Sequence, residues 1–330
     1  MIPVAVVGVG SMGQNHVRVL MDLPDVELVG IADCNLDATR NIARKYNLPA
    51  FADHASLFDA RKPAAVIIAA PTHAHFEIAM DALARGIHVL VEKPIASTLV
   101  QAEAMIARAQ QMKVCLSVGH IERFNPAVIE LKRRIDRGEL GKVFMLHARR
   151  QSPFPGRIRD VGVANDLATH ELDMMRYLTG SRVAQMSAQV SQVLAHDTRE
   201  DIVFGLLRFA NGVLGVLDVN WVTPTSVREL SITGERGMFV VNYLSQELSF
   251  YENPAALAPL EGAVWDFTVQ AGNQIRFQIA RREPLRSELE SFIHAIQTGA
   301  PPVVRGEDGL EALRLALQIV ELGKAKTDED

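Results

Sequence analysis

The stretch that decides the fold is Ile2-Pro3-Val4-Ala5-Val6-Val7-Gly8-Val9-Gly10-Ser11-Met12-Gly13. An apolar, strand-like run leads directly into glycines spaced G-x-G-x-x-G, and a helical pattern follows. Each glycine has its own task in such a turn. Gly8 permits the tight bend, Gly10 lets the main chain approach a pyrophosphate, and Gly13 lets the helix pack closely on the strand. The helix N-terminus then offers N–H donors and positive potential to a phosphate. Val9, Ser11 and Met12 complete the turn and share its expected role in holding a dinucleotide. Asp33 ends the next strand-like run about 20 residues after Gly13, where a carboxylate accepts hydrogen bonds from adenosine ribose hydroxyls. A carboxylate there repels a 2′-phosphate, and no Arg or Lys follows it immediately, which favours NAD over NADP. Arg40, on the next helix, is the one nearby cation that argues the other way.

Outward from this turn, apolar runs recur at Val26–Ala32, 65–69, His88–Val91 and 114–118. They are nearly continuously apolar, as parallel strands covered on both faces are. Helical patterns lie between them: Ser97 precedes one at 99–111, and Gly86 closes another at 79–85. Strand and helix in alternation predict a doubly wound α/β domain of Rossmann type over residues 1–124. A helix at 126–137 closed by Gly138, a strand at 143–150 and a helix at 164–179 ending at Gly180 come next. Then strands dominate. Asn211-Gly212 lies between runs at 201–209 and 213–220, and Gly234-Glu235-Arg236-Gly237 separates 228–233 from 238–243; both read as hairpins. Ser287 and Glu290 have capping-box spacing ahead of the apolar face Leu289, Phe292, Ile293 and Ile296. A last helix at 307–323 carries Leu310, Leu313, Leu317 and Val320, and an acidic tail occupies 327–330. Residues 125–330 are thus expected to form an α+β domain with an open antiparallel sheet.

The composition excludes several classes of function. With 330 residues, two domains are the natural expectation. A net charge of −5 and 6% aromatics argue against nucleic-acid binding. Cys34 and Cys115 have no metal-ligand spacing, so neither a disulfide framework nor a zinc site is expected. No apolar run approaches the roughly 18 residues that cross a bilayer, and no export signal opens the chain. A soluble, cytoplasmic protein without membrane partners is the expectation.

Candidate chemistry gathers in two places. Glu92-Lys93-Pro94 follows the run His88–Val91, at the strand edge where open α/β sheets bind ligands. A lysine there can hold a substrate hydroxyl and stabilise an alkoxide, although a single Lys is more often a solvated surface charge. Asp166 and His170, at the start of a helix, share a face with Asp173, so that a carboxylate can orient the imidazole. A capping Asp beside a satisfied His is an equally common cause of that spacing. Arg149, Arg150, Arg157 and Arg159 precede this helix with no acid between them; such a group can grip a diphosphate or serve as an edge charge cluster. His73 and His75 suggest a metal only weakly, since no third ligand is evident. His120 is as well explained by packing as by substrate contact.

These motifs together resemble the Gfo/Idh/MocA oxidoreductases over nearly the whole chain, from the glycine turn and Asp33 through Glu92-Lys93-Pro94 to Asp166 and His170. The resemblance implies an NAD-dependent dehydrogenase of a sugar CH–OH, with Lys93, Asp166 and His170 facing the nicotinamide. It implies that Ala70, Pro71, Thr72, His75, Glu92 and Lys93 border the cofactor, and that Asn165 joins Lys93, Asp166 and His170 at the substrate. It also implies a homodimer or homotetramer built on the C-terminal sheet. The glycine-rich stretch often found before the Asp is eroded to Val161-Gly162-Val163-Ala164-Asn165. Within the family, Val118-Gly119-His120-Ile121-Glu122-Arg123-Phe124-Asn125-Pro126-Ala127 and Pro155-Gly156-Arg157-Ile158-Arg159-Asp160-Val161-Gly162-Val163 are similar to the branch that oxidises C3 of UDP-N-acetylglucosamine. On that resemblance Arg149, Arg157 and Arg159 hold the sugar nucleotide. An inositol-like polyol dehydrogenase, an NAD-dependent glycosidase and a non-catalytic NAD(H) sensor are the alternatives. Which of Lys93 and His170 takes the proton stays open at this level.

Overall fold

The computed structural model describes residues 1–156, 161–194, 199–253 and 272–324. The chain divides into two compact units. The first holds Met1–Phe124, Gly156–Asp173 and Arg282–Gln318; the second holds Asn125–Pro155, Met174–Arg281 and Ile319–Asp330. The change of unit at residue 124 is thus followed by two returns to the first unit.

In the first unit, β1 (Ile2–Val7), α1 (Ser11–Met21), β2 (Val26–Ala32), α2 (Leu36–Tyr46), β3 (Ala50–Phe51), α3 (His54–Arg61), β4 (Ala65–Ile68), α4 (Thr72–Ala84), β5 (His88–Val91), α5 (Leu99–Met112) and β6 (Leu116–Val118) follow in order. The strands form one parallel sheet in the order β3-β2-β1-β4-β5-β6. Because successive side chains on a strand point to opposite faces, Ala5 and Val7 join one core layer and Val4 and Val6 the other. The first layer is completed by Leu57 and Phe58 of α3, Ala79 and Leu83 of α4, and Met105 of α5. The second takes Val17 and Leu20 of α1 and Ile42 of α2. Strand order reverses between β1 and β4, so the loops after these two strands flank the crevice where doubly wound sheets bind ligands.

Further along lie α6 (Pro126–Asp136), β7 (Val143–Pro153), α7 (Thr169–Thr179), β8 (Val183–Ser191), β9 (Ile202–Phe209), β10 (Leu214–Asn220), β11 (Val222–Gly234), β12 (Gly237–Asn242), β13 (Glu247–Glu252), β14 (Gln274–Arg276), α8 (Pro284–Thr298) and α9 (Gly306–Lys324). The second unit's sheet has the order β14-β13-β12-β11-β7-β10-β9-β8. All its pairs are antiparallel except β7 with β10. One face is buried: Leu146, Ala148, Val203, Leu207, Leu217, Leu230 and Ile232 point into the core. The other face leaves Met145, Phe204, Leu206 and Leu214 exposed.

Three local expectations are corrected. Ser287 does not cap a helix, because Pro284, well suited to a first helical turn, starts α8 earlier with Glu283 at the N-cap. Glu290 instead pairs with Arg286 and Arg282. The Asn211-Gly212 hairpin also takes in Ala210, since Phe209 N–H bonds Val213 O at 2.8 Å. The helix expected from 164 opens as a π-helical turn, Ala164–Ala168, before α7. Thr169 Oγ1 donates to Asn165 O at 3.0 Å, so a side chain takes a carbonyl that the helix ladder would use. The tail at 327–330 lies outside the described residues. Among the described residues, no helix is long and apolar enough to cross a membrane.

Candidate active site

The glycine turn joins β1 to α1 in the first unit. Gly8 has φ +92°, and a Cβ there would lie 2.4 Å from Ala70 N, so only glycine lets the turn sit against the loop after β4. A Cβ on Gly13 would lie 1.9 Å from Gly8 O, whereas one on Gly10 would meet nothing within 4 Å. Gly10 is also the N-cap of α1, and no side chain caps it. A tight turn, an open approach at Gly10 and an uncapped helix N-terminus fit a bound pyrophosphate. Asp33, just past β2, turns its carboxylate to the same loop. Its Oδ2 accepts from Val9 N–H at 2.8 Å and its Oδ1 from Asn35 N–H at 2.9 Å. Ala70 and Pro71 lead into α4, whose first residue is Thr72. His75 braces this loop, with Nδ1 2.9 Å from Pro94 O and Nε2 2.8 Å from Ala70 O.

Lys93 stands two residues beyond β5. Its Nζ donates to both Asp166 O and Asp166 Oδ1, each at 2.8 Å. Asp166 lies in the π-helical turn and is 9% exposed, as is His170 in the first turn of α7. The two sequence-distant motifs therefore meet directly at Lys93 and Asp166. Asn165 precedes Asp166 in sequence, and its Oδ1 is buried with no hydrogen-bond partner among the described residues.

Behind these groups are buried charges, among them Asp173, read from its spacing as a carboxylate that could orient His170 but here bound by Arg123. Arg123 donates through Nε and a terminal nitrogen to both oxygens of Asp173, at 2.8 and 2.5 Å, and reaches Asp308 Oδ1 at 3.0 Å. Burial opposes its charge, but Asp173 and Asp308 outweigh that and raise its pKa. His120 is 3% exposed; burial lowers its pKa, Asp173 and Asp308 oppose the shift, and Arg123 and Lys93 reinforce it. The Glu92 carboxylate is turned inward, 2.8 Å from His16 Nε2. Burial pushes Glu92 up, yet His16, Lys93 and His75 together hold it below the ordinary carboxylate value. A motif reading recognises Glu92 only as the neighbour of Lys93; its partner His16 sits one helical turn past Gly13 on α1.

Of the four arginines, the two described ones, Arg149 and Arg150, do not share a face. Arg149 and Arg150 are neighbours on β7 and so point to opposite faces. Arg150 is buried on the covered face, 5.8 Å from the Tyr243 ring centre. Arg149 is on the open face, 3.5 Å from Glu229, the residue directly across on β11. Strand pairing supplies the acid that the linear sequence lacks. Arg157 and Arg159 lie outside the described residues.

Comparison with known proteins gives this geometry its context. The profile of the oxidoreductase family with an NAD-binding Rossmann fold matches residues 2–120, and the GFO/IDH/MocA C-terminal domain matches residues 128–240. UDP-N-acetylglucosamine 3-dehydrogenase of Acidithiobacillus ferrooxidans is 30% identical, over 95% of each chain. The chain belongs to the Gfo/Idh/MocA oxidoreductase family. Myo-inositol 2-dehydrogenase of Thermotoga maritima, a further member, is 26% identical over 94% of this chain and 93% of its own. A solved structure of the Acidithiobacillus ferrooxidans enzyme superposes with a TM-score of 0.86 at 28% identity, covering 98% of both chains. This family member is therefore an oxidoreductase, with NAD as its cofactor.

Proposed function

We propose that this enzyme oxidises the C3 hydroxyl of UDP-N-acetylglucosamine to a ketone, with Lys93, Asp166 and His170 around the reacting carbon. The observation that carries the chemistry is the double contact of Lys93 Nζ with Asp166. An ammonium has three N–H donors; two are spent on Asp166, which leaves one to aim at a substrate hydroxyl oxygen. NAD, when bound, accepts the two electrons and the hydrogen leaving carbon. The chain's part is to hold the hydroxyl and move its proton. Lys93, as a donor, has no lone pair to receive that proton, so His170 on the same helical run as Asp166 is the base. Lys93 stabilises the negative charge that develops on oxygen, and Asp166 fixes where its ammonium points.

The choice of a UDP-sugar is supported by the 30% identity to a UDP-N-acetylglucosamine 3-dehydrogenase over 95% of the chain. The pairing of Arg149 with Glu229 and the burial of Arg150 favour a second reading, a free polyol as in the inositol relative, because neither arginine is set aside for a diphosphate. The exposed apolar residues Met145, Phe204, Leu206 and Leu214 support self-association through the open sheet face. A panel of UDP-sugars and free polyols, followed by NADH absorbance with UDP as competitor, separates the two substrates. UDP alone should inhibit, since contacts to phosphate persist without the sugar. Failure of millimolar UDP to inhibit, together with efficient reduction of NAD by a polyol, would replace the UDP-sugar with the polyol.

A further inference from the structure

Glu288 sits on α8 where a carboxylate is least expected. It shares the helix face of Leu285 and Phe292 and adjoins Leu289, all three of them in the core layer on the α1 side of the parallel sheet. The residue is 1% exposed, and neither carboxylate oxygen has a hydrogen-bond partner among the described residues. An ionised carboxylate buried without donors costs several kcal/mol, so the group takes up a proton instead. Its surroundings point the same way. Against α8 pack α1, bearing His16 and Arg18, and the turn Ile121–Phe124, bearing Glu122 and Arg123. Arg18 pairs with Glu283 at the exposed start of α8, Arg123 with Asp173 and Asp308, and His16 with Glu92. Burial raises the Glu288 pKa well above its ordinary value, and the neighbouring Glu92 charge raises it further.

Glu92 and Glu288 therefore divide the roles of a carboxyl pair. Glu92 has the donors: His16, and the Lys93 main-chain N–H at 3.3 Å from its Oε2. It also has Lys93 and His75 as neighbouring charges. Its other side is closed by Gly119, where a Cβ would lie 2.8 Å from Oε2. Through His16 it ties the glycine-turn helix to the main chain of Lys93. Two adjacent buried anions would repel, and that tie would loosen.

We propose that Glu288 is a positioning residue that stays protonated in the folded enzyme and so leaves Glu92 as the charged member of the Glu92 and Glu288 pair behind Lys93. The positioning half rests on the role of Lys93 given above; the protonation half does not. The consequence for stability follows from linkage. In the unfolded chain the Glu288 carboxyl returns to its ordinary value of 4.5, while the folded form keeps its proton to higher pH. The folded state binds more protons in that window, so stability falls as pH rises from 4.5 toward the raised folded value.

The test uses the full-length enzyme and Glu288→Gln, the isostere of the protonated acid. Infrared difference spectra of the wild type across a pH titration should contain the C=O band of a protonated carboxyl at pH 7, and Glu288→Gln should lack it. The melting temperature of Glu288→Gln should match the wild type at about pH 4 and exceed it increasingly toward about pH 9, by the sign above. In the wild type the alkaline fall in kcat should coincide with loss of the band, and Glu288→Gln should move that fall to higher pH. No such band at pH 7, or a Gln variant less stable at every pH, would mean an ionised Glu288 held by bound water and would overturn the proposal. An unchanged alkaline fall in kcat beside the expected band would overturn the positioning half alone. Absence of the band in the wild type overturns the protonation half with no variant, and Glu288→Leu, which also removes the carboxyl, assigns the band if Glu288→Gln fails to fold.

Discussion

Two cations of the first unit reach for carboxylates on the same helical run, and they do so in different ways. Lys93 meets Asp166 through one nitrogen, and both side chains keep some exposure, 16% and 12%. Arg123 meets Asp173 through two nitrogens at 6% and 1%, then reaches Asp308 on α9 as well. A compact ammonium on a flexible stem retains a donor for a third party, whereas a planar fork saturated by two acids does not. The first arrangement suits chemistry and the second suits fixing elements in place. Nearness to the reacting centre therefore says less about a charged pair than how many of its donors remain unspent.

The sharpest way to break this contrast is Arg123→Ala. Removing one partner from a buried, hydrogen-bonded charge group costs about 3–5 kcal/mol, because the remaining carboxylates lose their counter-charge. The urea midpoint should drop accordingly, and Arg123→Lys should recover only part of the loss, since an ammonium cannot reproduce the fork. Lys93→Ala should lower the midpoint less, as the Asp166 side chain still reaches solvent. Equal losses for the two alanine variants would erase the distinction between structural and chemical pairs.

Turnover should invert that order. Lys93→Ala and His170→Ala should each reduce kcat by about 10²-fold or more, with a much smaller change in NAD affinity. Activity is compared under conditions where each variant is folded, as checked by its melting curve. Near-normal turnover in both variants would remove these residues from the mechanism while leaving the fold assignment intact.

What the sequence made legible follows the same physical divide. The runs at Ile2–Val7, Val26–Ala32 and His88–Val91 coincide with β1, β2 and β5, because strands covered on both faces write an unbroken apolar signature. β3 has only Ala50 and Phe51, too short for any periodicity to show. The stripe Leu289, Phe292 and Ile293 marked α8 as amphipathic but not what it covers; periodicity defines a face, and only the fold supplies its partner, here the core layer of the first unit. At the site, Lys93 and Asp166 were readable as motifs. Arg123, His16 and Glu288 were not, since their meaning lies in pairings across long sequence separations. Glu288 did carry a signal: it is an acid on the apolar face that Leu285 and Phe292 define. Arg149 looked unpaired for the complementary reason. Its acid, Glu229, is invisible until β7 and β11 are in register.

The smallest expected effect concerns Asp33, and it separates two tasks that a motif reading merges. The carboxylate braces the glycine turn through Val9 N–H at 2.8 Å and its own loop through Asn35 N–H at 2.9 Å. It also stands where an adenosine ribose is expected, and its charge disfavours a 2′-phosphate. Asp33→Asn keeps an acceptor oxygen for one of these N–H groups but removes the charge, whereas Asp33→Ala removes both. If charge alone sets the preference, both variants should narrow the gap between NAD and NADP by about tenfold, or about 1.4 kcal/mol. If bracing also matters, Asp33→Ala should lose more NAD affinity than Asp33→Asn while the NADP-to-NAD ratio shifts equally in both. Dissociation constants of the wild type and both variants for both cofactors, measured by quenching of protein fluorescence, supply the comparison required. A wild type that holds NADP as tightly as NAD would refute the carboxylate argument, and a ratio unmoved in Asp33→Asn would show that the selectivity lies elsewhere in the turn.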